Sequence, residues 1–259
     1  MKTYRNLTMI LVLVSLVFSA GAAWTSVETD PAKEATQLNA NFTRLLGIYV
    51  HNHLVDYQAW FDNEDDAKAL GQYVDQLSAM DPSDWPQDAA LAYWINLYNA
   101  VTLRLILDNY PLDSIKDIGG FMKKSPWKRE LVTVAGRKLT LNNIENDIIR
   151  PDFGDARIHF ALNCASIGCP PLSDEAYAAD RLSEQLDAAC RVALNRDQWV
   201  QVEGNKLKLT KIFDWYGKDF EKDGGSVLDF IGQYRTETIP DKEVEIDFMS
   251  YDWDVNIID

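Results

Sequence analysis

LAYWINLYNAVTLRLIL, residues 91–107, is apolar nearly all round. A helix lying on a protein surface keeps one polar face, whereas a helix without one belongs inside the molecule. This stretch therefore reads as the central buried helix. Ser83 or Asp84 is its expected cap, with Pro86 in the first turn. It ends at Asn109-Tyr110-Pro111. Asn96 and Asn99 sit three apart on one side of it. A buried amide without a partner costs roughly 1–3 kcal/mol. The two amides are thus expected either to tie the helix to a neighbouring backbone or to line a polar cavity.

Working outward, residues 24–36 form a polar leader, and Leu38, Phe42, Leu45, Leu46 and Tyr49 then follow helical spacing. His51 and His53 mark a solvated turn, and Val55-Asp56-Tyr57 reads as extended. A second helix is expected from Glu64 to Met80, burying Ala67, Leu70, Val74 and Leu77 and stopping at Asp81-Pro82. Downstream, VTVAGRKLTLNNI from Val132 and VQVEGNKLKLTKI from Val200 share seven of thirteen residues at a constant offset of 68. Each reads as strand, Gly-containing tight turn, strand, then helix. Asn142 with Glu145 makes a capping signal for the first of these helices. Any two hairpins followed by helices look this way, and a true internal duplication is the alternative. A short helix is expected over residues 174–178. In LSEQLDAACRVAL, Cys190 lies on the apolar face and reads as a buried structural thiol. Ser226 caps a last helix, VLDFIGQYR, and the tail alternates at Val244, Ile246 and Phe248 as a strand. The fold class is α+β: a mostly helical single domain with a small antiparallel or mixed sheet and two hairpin-helix units.

The ends and the charge bound the function. Lys2 and Arg5 precede an apolar run, Leu7 to Phe18, and Ala20-Gly21-Ala22 is a small-x-small cleavage site. Residues 1–22 are expected to be a signal peptide and residues 23–259 the mature domain, periplasmic or secreted. No later stretch is apolar enough to be a membrane span. The formal charge of −15 repels nucleic acid and anionic lipid. A small-molecule or peptide-like ligand remains, and no cofactor is implied.

RIHFALNCASIGCPPL, residues 157–172, concentrates reactive side chains. Ile158, Phe160 and Leu162 alternate with Arg157, His159 and Asn163, the period of a strand with one apolar and one polar face. After it come Cys164, Ser166, Gly168 and Cys169, and Pro170-Pro171 ends regular structure.

WINLYNA (94–100), NNIENDIIRP (142–151), RIHFALNCASIGCPPL, FDWYGKDF (213–220) and YDWDVN (251–256) together resemble domain of unknown function 547, and VDY (55–57) fits the same pattern. The resemblance covers about residues 40–256. That family is widespread in exported bacterial proteins and in plant proteins. The resemblance implies positions rather than a reaction: Asn96, Asn99, His159, Asn163, Cys164, Cys169 and Pro170.

Several chemistries fit the Cys-containing segment. In an oxidising compartment Cys164 and Cys169 can form a small disulfide within a non-catalytic binding or scaffold module. Cys164 can be a catalytic thiol activated by His159, with Asn96, Asn99 or Asn163 orienting the ring or donating to an oxyanion, as a hydrolase or acyl transferase requires. Against this, five residues along a strand is a long reach, about 16 Å. His159, Cys164 and Cys169 also supply three possible metal ligands, though not at a familiar zinc spacing. Both thiols can equally be inert. Arg157 and Ser166 join the candidate polar cavity, and Ser166 lacks the frame of a serine hydrolase. Trp94, Trp127, Trp215 and Trp253 are candidates for lining a ligand groove.

Overall fold

The structure is a computed structural model that describes residues 30–119, 125–222, 225–239 and 244–258. The expected signal peptide lies outside the described residues. Helix α1 (Pro31–Tyr49) starts within the segment expected to be an irregular leader, because the Asp30 carboxylate caps the Ala32 amide and Pro31 occupies the first turn. A short hairpin, β1 (Val50–His51) and β2 (Leu54–Val55), follows. Of the expected extended segment Val55 lies in β2, and the chain turns at Asp56 into α2 (Tyr57–Asp62); Asp56 caps the Ala59 amide and Trp60 is drawn into the core against Tyr49. Helix α3 (Glu64–Ser78) buries Leu70, Tyr73, Val74 and Leu77.

Helix α4 (Gln87–Leu107) is the centre of the molecule. From Ala90 to Leu107 every residue except Arg104 is buried. Each large apolar side chain there contributes roughly 1.5–3 kcal/mol of burial. Among the described residues it is the one helix long and apolar enough to cross a membrane, and its surface is covered by the protein itself. Neither Ser83 nor Asp84 caps it; Pro86 holds the N-cap position with no side-chain bond.

The first hairpin-helix unit is β3 (Val132–Val134) and β4 (Arg137–Leu139), joined by Ala135 and Gly136, both with positive φ, and followed by a π-helix over Asn143–Ile149. The two-residue turn with left-handed φ at both positions suits the twist of a hairpin. The cap is Thr140 with Asn143, which exchange side-chain bonds with each other's amides, not Asn142 with Glu145. A short α5 (Arg150–Phe153) continues the π-helix, and α6 (Leu182–Leu194) buries Cys190. No helix forms over residues 174–178. There Asn96 and Gln185 hold the backbone of Ala176, Tyr177 and Ala178 as a loop.

The second unit is β5 (Val200–Glu203), β6 (Lys206–Leu209) and α7 (Lys211–Phe220). Helix α8 (Val227–Tyr234), capped by Ser226, precedes β7 (Glu245–Phe248), which pairs parallel with β6. The result is the expected mostly helical α+β domain, with one three-stranded mixed sheet and two small hairpins.

The segment from Arg157 to Asn163 is not a strand. Ala156–Phe160 is a 3-10 helix, started by the Asp155 carboxylate on the Arg157 amide and closed by Ala161 and Leu162 bonding back to the Ile158 carbonyl. The alternation has another cause. Ile158 faces the core around α4, while Phe160 faces a second core with Phe213, Phe220 and Phe230. Two cores on opposite sides of a tight helix produce the same period as one sheet face.

Candidate functional site

The chain beyond the 3-10 helix is fixed by amides. Asn99 on α4 donates to the Ala161 carbonyl and accepts from the Asn163 amide, both at 2.9 Å. Asn163 donates to the Pro170 carbonyl at 2.8 Å and accepts from the Ala165 amide at 2.9 Å. These bonds close residues 163–170 into a compact loop and hold Ala165 at φ +58°, a left-handed conformation uncommon for a side-chain-bearing residue. The closing tail packs on the loop: the amides of Ile167 and Gly168 donate to the carbonyls of Asp254 and Asp252. A side chain at Gly168 would meet the Asp252 backbone at 2.9 Å, so this approach requires glycine.

This packing delivers Tyr251 to Cys164. The Cys164 sulfur lies 3.1 Å from Ser166 Oγ and 3.1 Å from the Tyr251 hydroxyl, and those two oxygens are 3.0 Å apart. The triangle has three edges. With a thiol it holds three hydrogens, one for each edge. With a thiolate it holds two, and both can point at sulfur. Burial holds the Tyr251 phenol well above its ordinary value, so that hydroxyl keeps its proton to donate. Cys169 stands on the other side, its sulfur receiving the Cys164 amide at 3.0 Å. The Cys164 thiol is held below its ordinary value, first by the hydrogen bond from Cys169 and then by Ser166 and Tyr251, against an opposing cost of burial. Cys169 is pushed the opposite way by burial and by the neighbouring Cys164. The two hydroxyl donors around its sulfur favour charge on Cys164 over Cys169.

The three cysteines carry free thiols, so the expected Cys164–Cys169 disulfide is not formed in this structure. The Cys169 sulfur faces backbone, the Cys164 amide and the Leu162 carbonyl. Cys190 is buried, and burial pushes its thiol far up.

His159 is buried beneath the ring of Tyr216, with centroids 4.1 Å apart. Its Nε2 lies 2.8 Å from Asp219 Oδ2. Asp219 is also gripped by Arg150, Nε to Oδ2 at 2.7 Å and Nη2 to Oδ1 at 3.0 Å. His159 first, then Arg150, hold the Asp219 carboxyl far below the usual carboxylate range. An ionised carboxylate only accepts, so Nε2 carries the hydrogen and Nδ1 is the remaining ring nitrogen. Arg150 in turn donates to Asn146, which donates to Asn142, a polar ladder at four-residue spacing along the π-helix.

Cys164, Cys169 and His159 line one cavity of about 270 Å³. Its other walls come from Tyr98 on α4, from Asn142, Glu145 and Asn146 at the π-helix, and from Trp127, Trp215, Tyr216, Tyr251 and Trp253. Glu145 accepts from the Tyr216 hydroxyl at 2.6 Å and from the Tyr98 hydroxyl at 3.3 Å. Trp215, Tyr251 and Trp253 pack ring against ring, and Trp127 meets Trp253 edge-on. A π-helix inserts an extra residue into the turn and is frequent at functional sites; here it turns Glu145 and Asn146 inward together.

Of the residues expected at the site, Cys164, Cys169 and His159 line this cavity, and Ser166 reaches it through the Cys164 sulfur. Asn163 and Asn99 act one layer behind, on the backbone of the loop. Asn96 is not at the cavity; it clamps the Tyr177 backbone from both sides. Arg157 faces away, toward Asp155, Asp187 and Ser183, because the 3-10 turn separates it from His159. Trp127, Trp215 and Trp253 line the cavity, while Trp94 packs on Tyr93 in the core. Among the described residues no group of three or more His, Cys, Asp or Glu is placed to hold a metal.

Sequence reasoning missed Tyr98, Glu145, Arg150, Tyr216, Asp219 and Tyr251 as site residues. A signal was present. Asn142, Asn146 and Arg150 recur every four residues, and Tyr216 and Asp219 are three apart, each set one helical face.

Residues 82–194 match the family model described as Protein of unknown function, DUF547. No curated protein and no solved structure matches the chain. The DUF547 segment supplies Tyr98, Glu145, Arg150, His159, Cys164 and Cys169. The partners Tyr216, Asp219, Tyr251 and Trp253 come from residues beyond it, so the cavity is completed by the C-terminal part of the chain.

Proposed function

We propose that the chain is an exported thiol-dependent hydrolase or acyl transferase, with Cys164 as nucleophile and His159 as base. The observation that carries this reading is the Cys164 sulfur itself. It faces a cavity, holds two hydroxyl donors, and shares that cavity with a histidine whose other nitrogen is fixed by a carboxylate. A nucleophile, a base and a group orienting the base are the parts such chemistry requires. In this scheme the thiol proton passes to His159 Nδ1, the ring nitrogen that Asp219 does not hold. The sulfur attacks the acyl carbon, and a C–S bond forms as the bond to the amine or alcohol breaks. The imidazolium returns the proton to the leaving group. Water or an amine, deprotonated by His159, then cleaves the thioester. Asn99 and Asn163 are positioning residues in this scheme, since they hold the loop that carries Cys164.

The export reading rests on Lys2, Arg5, the apolar run and Ala20-Gly21-Ala22. N-terminal sequencing of the secreted protein should then begin near Ala23.

The acyl step is tested with p-nitrophenyl acetate. A burst of nitrophenol with acetyl recovered on Cys164 is expected. Cys164→Ala should abolish it and His159→Gln should slow it, while Cys190 stays silent in the native protein. A Cys164 that reacts no faster than a free thiol overturns the reading. So does a stable Cys164–Cys169 disulfide in the secreted protein, which favours the non-catalytic module.

A further inference from the structure

Among the described residues no lysine or arginine lines the cavity, and Glu145 is the one carboxylate that does. Tyr98 and Tyr216 both keep their hydrogens, because burial and the nearby Glu145 charge raise both phenols. Both hydroxyls therefore donate to Glu145, which is held in place as an acceptor with lone pairs to spare. Electron-rich rings, Trp127, Trp215, Tyr251 and Trp253, line the same cavity. Their affinity for cations is already visible within the chain: the Lys116 ammonium lies 3.6 Å from the Trp253 ring centre, and the Arg150 guanidinium 4.8 Å from that of Tyr216. A carboxylate beside aromatic faces in a recess is a setting that attracts an ammonium group and disfavours an anion.

We propose that the substrate of this site carries a cationic amine, seated against Glu145 and the tryptophan-rich wall, with Glu145 as the specificity-determining residue. This rests on Cys164 being the reactive thiol. It narrows the substrates to acyl compounds bearing an ammonium group near the acyl carbon.

Three methanethiosulfonates separate the possibilities: trimethylammonioethyl, sulfonatoethyl and neutral methyl. In each the Cys164 thiolate attacks the sulfenyl sulfur, a disulfide forms and methanesulfinate leaves. Rates are normalised to those of a free thiol and read at Cys164 by peptide mass spectrometry. The cationic reagent should exceed the anionic one by roughly tenfold or more. Glu145→Gln should abolish most of that preference, whereas Asp152→Asn, the same charge change at an exposed position outside the cavity, should leave it intact. The wild-type protein provides a test that needs no variant. Tetramethylammonium chloride should slow the neutral reagent more than sodium chloride does at equal ionic strength. A reactive Cys164 with no preference for the cation, or with a preference that survives Glu145→Gln, overturns this proposal and leaves the thiol reading standing. A Cys164 inert to all three reagents overturns both.

Discussion

Tyr251→Phe removes one oxygen from the Cys164 triangle and little else. The ring stays packed on Trp215 and Trp253, whose centroids lie 4.9 and 4.5 Å away. The lost interaction is a hydroxyl hydrogen bond at 3.1 Å to a sulfur that carries charge as a thiolate. Hydrogen bonds to charged groups contribute roughly 1.5–3 kcal/mol. The lower end applies, because Ser166 no longer divides its hydrogen between Tyr251 and sulfur once the phenol is gone. About 1.4 kcal/mol is one pH unit, so the apparent pKa of Cys164 should rise by about one. The assay is the pH dependence of alkylation by neutral iodoacetamide, followed at Cys164. Below both pKa values the thiolate fraction falls about tenfold, but the more basic thiolate is the better nucleophile, with a Brønsted slope of about 0.4–0.5. The net loss at low pH is therefore roughly threefold to fourfold, and at high pH the variant overtakes the wild type. A folded pKa below the unfolded value of about 8.5 contributes stability that is present above that value and lost as pH falls through the folded pKa. The variant's stability deficit should accordingly widen toward alkaline pH. An unchanged or lowered apparent pKa, or rate profiles that never cross, would refute the assignment of Tyr251 as a donor to the thiolate.

Two further perturbations probe the supports. Asp219→Asn should cost about 2–3 kcal/mol at neutral pH in urea unfolding, since it weakens a bidentate arginine pair and the His159 bond together. Asp219 has a depressed folded pKa, so its contribution is present above about 3.9 and lost as pH falls through the folded value. The gap between variant and wild type should shrink in strong acid. Asn99→Ala strands the Ala161 carbonyl and the Asn163 amide, both buried, and should cost about 2–4 kcal/mol. It should also slow Cys164 alkylation by loosening the loop, whereas Asn96→Ala, at a different backbone clamp, should destabilise without changing that rate.

Some of this molecule could be read without a structure because it depends on residues close together in the chain. Residues 91–107 have no polar face, and a helix without one belongs in a protein core or in a membrane; here it is the core helix. Both hairpin-helix units announce themselves through alternation and a glycine turn, and Ser226 caps α8 as its sequence suggests. Cys190 sits on an apolar helical face and is buried there. The concentration of chemistry in residues 157–172 was legible too, since residue types need no geometry.

The tertiary structure decided the rest, for one physical reason. Period-two alternation marks Ile158 and Phe160 as both buried, and it cannot say whether they share one core, as on a strand face, or enter two separate cores. Phe160 and Ile158 enter different cores, so the strand became a 3-10 helix, Arg157 turned away and His159 turned in. The hydrogen-bond partners of the reactive groups lie far along the chain: Asp219 for His159, Tyr251 for Cys164, and Tyr98 and Tyr216 for Glu145. Local spacing carries no information about such pairings. They exist because the C-terminal tail folds back over the loop at Gly168, and α7 lays Tyr216 and Asp219 across the π-helix and the 3-10 turn.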